Sequence, residues 1–63
     1  MKTIFKGIYH DVCKLTPGEA HQIGVCGRFA VLDRFYEKSN SFNNICNVFQ
    51  TEQEAKDWIS EHE

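Results

Sequence analysis

Three cysteines, Cys13, Cys26 and Cys46, and three histidines, His10, His21 and His62, are the side chains of this 63-residue chain best equipped for metal or nucleophilic chemistry. Two pairs fall close together, His10-x2-Cys13 and His21-x4-Cys26. With Cys46 they supply enough donor types for zinc. Structural zinc sites, however, favour two cysteines around one rigid knuckle, and here each pair mixes His with Cys. The spacing argues against a metal, and we expect no cofactor. A Cys–His couple oriented by Asp11 or Asp33 would combine a nucleophile with a base. No pattern marks any of the cysteines as activated, and so short a domain seldom encloses a substrate cavity of roughly 300 Å³ or more. The expectation is therefore a protein that is not an enzyme. Gly24 and Gly27 lack the following helix that would turn them into a phosphate loop.

The odd cysteine count argues for reduced thiols and a cytoplasmic setting. Met1–Lys6 has a basic residue but neither a continuing apolar region nor a cleavage site, so no leader is expected. No apolar run approaches the ~20 residues that span a bilayer. The net charge of −2 is unevenly placed. Residues 50–63 carry five acids and one base, net −4, while residues 1–49 carry six bases and four acids, net +2. Such a bipolar chain suits an electrostatically steered partner better than a membrane surface.

Two interaction surfaces compete. In the first, Glu54, Asp57 and Glu61, continued by Glu63, form an acidic arc that would dock on a basic protein surface around an aromatic anchor such as Tyr36 or Phe42. In the second, Lys6, Lys14, Arg28, Arg34 and Lys38 would contact nucleic-acid phosphates while ring faces stack bases. Gly27-Arg28-Phe29-Ala30-Val31 resembles the aromatic strand of an RNA-recognition module, which implies stacking on Phe29 and its neighbours, with Asn40, Asn43, Asn44 and Asn47 available to read base edges. The net charge disfavours affinity built on phosphate contacts, so protein binding is the first reading and nucleic-acid binding the alternative.

These side chains need a scaffold. Thr51 and Glu54 form a capping box, and Ala55, Trp58, Ile59 and His62 follow at i, i+3, i+4 and i+7, one apolar stripe of a helix. His62, near the helix end, suits the dipole as a cation and reads as structural. Residues 3–9 read as a first strand in which Gly7 marks a bulge or bend. Residues 10–15 either prolong it or form a loop. Thr16-Pro17-Gly18-Glu19 offers two readings: a type II turn, or a second capping box starting a short helix over residues 17–22. The turn is preferred, because Gly18 weakens a helix and Ile23 and Val25 favour strands.

Residues 28–37 form the strongest strand, with Phe29, Val31 and Phe35 on one face and Ala30, Leu32 and Tyr36 on the other. A hairpin turn over residues 38–41 leads to a returning strand, residues 42–49, with Ile45, Asn47 and Phe49 on one face and Cys46 and Val48 on the other. The outcome is one α+β domain, residues 1–63. It has a small antiparallel sheet of three or four strands with one C-terminal amphipathic helix packed on a face. The second sheet face carries more apolar side chains than one helix covers, which makes a weak homodimer a reasonable expectation. The strand–cap–helix ending resembles those of small bacterial and bacteriophage proteins, which implies a compact accessory protein acting as an inhibitor or modulator of a host or cellular macromolecule.

Overall fold

The computed structural model describes residues 1–36 and 42–63. Four strands form one antiparallel sheet in sequential order: β1 (Lys2–Lys6), β2 (His10–Lys14), β3 (Phe29–Asp33) and β4 (Ile45–Phe49). Two helices complete it, α1 (Pro17–Ile23) and α2 (Glu52–His62), with a 3₁₀ turn at Phe42–Asn44. This is the small α+β fold expected, with the sheet at four strands. No helix of the described residues is long and apolar enough to cross a membrane.

The N-terminal third differs from the sequence reading. Residues 3–9 are not one strand: the chain leaves β1 at Lys6, turns through Gly7, Ile8 and Tyr9, and returns as β2. Gly7 N–H donates to His10 O at 2.7 Å and closes the turn. The irregularity in β1 sits between Thr3 and Phe5 rather than at Gly7. Residues 16–19 are the start of a helix and not a type II turn. Thr16 accepts from the Glu19 N–H at 3.1 Å, Glu19 accepts from the Thr16 N–H at 2.8 Å, and Pro17 sits in the first turn. Two reciprocal caps outweigh the weak propensity of Gly18. Gly24 ends α1 with φ at 76°, a left-handed conformation that glycine adopts without a Cβ penalty.

Helix α2 follows the sequence reading closely. Thr51 and Glu54 make both halves of the capping box. Ala55 and Ile59 are buried against Val12 and Val31 on the central strands, with Ile4, Phe29, Phe49 and Trp58 packed around them. Burying a side chain of Ile59's size contributes about 2 kcal/mol, which a helix this short needs to hold together.

The opposite sheet face is covered from within the chain. Cys13, Leu15, Ala30 and Leu32 pack with Ala20 of α1, and Ile23, Val25, Phe42, Ile45 and Val48 close over them. The apolar surplus that suggested a second copy is thus largely taken up by α1 and the 3₁₀ turn. Phe29 and Val31 face α2 while Ala30 and Leu32 face α1, as the alternation requires. Phe35 and Tyr36 do not continue that alternation. The strand stops at Asp33, whose carboxylate accepts from the Phe35 N–H at 2.9 Å and starts a turn.

In β4 the expected faces are also broken. Val31 pairs with Asn47 but Leu32 pairs with Ile45, so Cys46 is an extra residue. That bulge moves Ile45 away from the face of Phe49 and onto the face of Val48. Residues 42–44 are the 3₁₀ turn rather than strand. The hairpin turn expected at residues 38–41 lies outside the described residues.

Candidate functional site

The densest polar network lies where the β1–β2 turn, the end of β3 and the end of α2 meet. It is built around Glu63. One carboxylate oxygen of Glu63 accepts from the Ile8 N–H at 2.7 Å. The other accepts from the Tyr9 N–H at 2.7 Å and from His10 Nδ1 at 2.7 Å. A carboxylate only accepts, so Nδ1 carries the proton. Burial alone would raise the pKa of Glu63. The hydrogen bonds from His10 and from the Ile8, Tyr9 and His10 backbone outweigh it and hold the carboxyl at about 2 instead of 4.5. The turn is thus a small anion nest, filled by a side chain just beyond α2.

Arg34 braces the same turn from beneath. Its Nη2 donates to Gly7 O at 2.7 Å and its Nη1 to Ile8 O at 3.4 Å. Its Nε and Nη2 both donate to Asp11 Oδ1, the former at 3.1 Å. Asp11 is only 5% exposed, so this partner keeps a buried charge compensated. Arg34 N–H donates to Tyr9 O at 3.0 Å, which ties the turn after β3 to the β1–β2 turn. Trp58 completes the frame. Its ring stacks on His62 at 3.9 Å and meets the edge of His10 at 5.2 Å. His62 Nδ1 donates to Trp58 O at 2.7 Å, one helical turn back.

Above this frame lies an apolar patch. Ile8 is 64% exposed, Tyr9 57%, Phe35 68% and Tyr36 66%. The Tyr9 and Phe35 rings meet edge to face at 6.4 Å, and the Arg34 guanidinium lies 5.9 Å from the Phe35 ring centre. Isolated exposed apolar residues are ordinary on a protein surface, but four together on two cross-braced turns are not.

The residues singled out from sequence are scattered over several surfaces. Glu54, Asp57 and Glu61 are exposed on α2. Glu54 is engaged in the cap, and Asp57 accepts from Gln53 at 2.9 Å. Glu63 does not continue their arc: its side chain, 7% exposed, is turned back into the nest. Tyr36 belongs to the patch, whereas Phe42 is half-buried against the cluster around Ala20. Lys6 and Lys14 are exposed at opposite ends of the β1–β2 hairpin. Lys14 and Arg28 line one groove, Arg34 is held by the network above, and Lys38 lies outside the described residues. Of the asparagines, Asn44 is buried and donates to Asp33 O at 2.7 Å, and Asn47 caps the Val48 N–H at 2.9 Å.

His10 and Cys13 stand three apart on β2 and so point to opposite sheet faces, which separates the closest of the candidate metal pairs. Among the described residues no three of His, Cys, Asp and Glu come together to hold a metal ion. Burial pushes the thiols of Cys13 and Cys46 up, away from the thiolate a nucleophile needs.

Sequence reasoning missed Ile8, Tyr9, Asp11, His10 and Trp58 as one assembly. The available signal was Gly7, the only turn-type residue between two apolar runs. The turn's central pair, Ile8-Tyr9, carries no turn chemistry of its own. No protein-family model, curated protein or solved structure matches this chain.

Proposed function

We propose that this chain is a non-enzymatic protein-binding module that docks through Ile8, Tyr9, Phe35 and Tyr36. The observation that carries the reading is the patch itself: four large apolar side chains, each more than half exposed, on turns braced by Arg34, Asp11 and Glu63. A rigid aromatic anchor loses little conformational freedom on binding, which is why such residues dominate interface energetics. Glu61 stands two residues before Glu63, at the end of α2 that meets the patch, and Asp57 lies one turn earlier. These exposed acids would steer a partner with a basic surface toward the anchor. The proposal places the protein in the cytoplasm as an accessory factor that modulates a macromolecule, in keeping with an odd number of cysteines, two of them exposed.

The test is an affinity capture from lysate, with and without nuclease, using the wild-type chain and a Tyr9→Ser, Phe35→Ser double variant. The expected result is a nuclease-resistant protein that the double variant loses. Each truncation should weaken binding about 30-fold, from roughly 2 kcal/mol per anchor. Reversal at Asp57 and Glu61 should slow association and flatten its salt dependence. Capture that depends on nucleic acid alone would replace this reading with the nucleic-acid one.

A further inference from the structure

The β1–β2 turn holds two peptide groups between opposite charges. The group joining Gly7 to Ile8 donates its N–H to Glu63 Oε1 at 2.7 Å, and its carbonyl accepts from Arg34 Nη2 at 2.7 Å. The group joining Ile8 to Tyr9 donates its N–H to Glu63 Oε2 at 2.7 Å, and its carbonyl accepts from Arg34 Nη1 at 3.4 Å. A cation at the oxygen end polarises a peptide group and strengthens it as a donor at the other end. His10 Nδ1 is a third donor, at 2.7 Å from Glu63 Oε2. Gly7 leaves the room for the carboxylate: a Cβ there would stand 2.7 Å from Glu63 Oε1 and 3.0 Å from Ile59 Cγ2. Glu63 itself lies one residue beyond α2.

We infer that this turn is a carboxylate-binding site in its own right, plugged here by Glu63, and that its external ligand is a carboxylate on a compact apolar body. Separate oxygens meet the Ile8 and Tyr9 donors, the two-oxygen arrangement that a planar carboxylate offers. The turn is closed by the Gly7 N–H on His10 O at 2.7 Å and braced by Arg34. Neither contact involves Glu63, so the donors stay in place when the plug withdraws. A tethered carboxylate has an effective concentration on the order of millimolar, which an untethered ligand must exceed or offset with further contacts. The exposed side chains of Ile8 and Tyr9 offer apolar surface for those contacts, and they belong to the same residues whose N–H groups form the nest. The inference rests on the turn alone and is independent of any protein partner.

Phenylacetate serves as the probe, with acetate and neutral phenylacetamide as comparisons, followed by amide chemical shifts and thermal midpoints. Glu63→Ala empties the nest, and phenylacetate should then bind saturably and shift the amides of Ile8, Tyr9 and His10. It should bind about tenfold tighter than acetate, through its ring, and about tenfold tighter than the amide, through its charge. The wild type should bind it at least about tenfold more weakly than the variant, because Glu63 must first be displaced. Gly7→Ala added to Glu63→Ala should abolish binding, since the new methyl group stands where a ligand oxygen would lie. Should Glu63→Ala unfold, Glu63→Gln keeps the side chain's size while weakening the plug, and phenylacetate should raise its midpoint more than that of the wild type. No saturable binding in either Glu63 variant would overturn the inference, as would equal binding of the amide. So would wild-type affinity equal to the variant's, binding that survives Gly7→Ala, or shifts confined to residues away from the turn.

Discussion

His10 Nδ1 and Glu63 Oε2 meet at 2.7 Å, across 53 residues of sequence, and join the first hairpin to the end of the last helix. Neither residue's neighbours in the chain announce this contact. It exists because α2 crosses the sheet from the end of β4 and finishes over the β1–β2 turn. There the turn's own N–H groups point outward without ladder partners. A carboxylate placed at that point satisfies two backbone donors and one imidazole at once, which closes the hairpin and anchors the helix.

The contact predicts how stability depends on acid. A carboxyl held at about 2 in the fold, against an ordinary 4.5, stabilises the native state fully above pH 4.5. That contribution is lost as pH falls from 4.5 toward 2. Urea midpoints measured across this range should fall more steeply for the wild type than for Glu63→Gln. Parallel curves for the two proteins would show that the nest contributes nothing to folding.

Arg34 should act on the turn rather than on the fold as a whole. Arg34→Lys keeps the charge but loses the planar fork that reaches Asp11, Gly7 and Ile8 together. Hydrogen exchange should accelerate at the amides of Gly7, Ile8 and Tyr9, with central residues such as Val12 and Val31 affected much less. Uniform acceleration would assign Arg34 a global role.

The two faces of α2 should respond differently to truncation. Ile59, 4% exposed, packs against both central strands, and Ile59→Ala should cost about 3 kcal/mol. Trp58→Ala should also destabilise strongly, because it removes the ring on which His62 stacks and against which His10 rests. Glu61→Ala, on the exposed face, should change stability by less than about 0.5 kcal/mol. Chemical denaturation of the three variants measures the contrast directly.

The cysteines should react in order of access and thiolate supply. Cys26 is exposed and should be alkylated first under native conditions. Cys46 is exposed as a residue, but partial burial of its thiol raises the pKa and should slow it. Cys13, buried between the sheet and α1, should react only on unfolding. Mass spectrometry of a native alkylation time course reads all three, and early labelling of Cys13 would contradict the packing described.

The legible features were local. The Thr51–Glu54 box and the Ala55–Trp58–Ile59 stripe specify α2 because cap and periodicity lie within one continuous segment. Phe29 to Leu32 specify a central strand because both faces are apolar. The illegible features involve a second segment. Thr16-Pro17-Gly18-Glu19 suits a turn and a helix about equally in isolation, and the helix forms where Ala20 and Ile23 find the sheet face to cover. The bulge at Cys46 moves Ile45 to the other face, a shift that no alternation pattern records.

For the candidate sites the division is the same. Sequence alone determined α2, the central strand, the bipolar charge and the exposed acids on α2, since each follows from residues within one helix or strand. Tertiary structure decided which side chains share a place. It turned Glu63 inward, committed Arg34 to Asp11, half-buried Phe42, and set the Tyr9 ring against that of Phe35. The physical reason is that strand pairing and helix crossing set distances between residues far apart in the chain, and those distances determine which charges and rings meet.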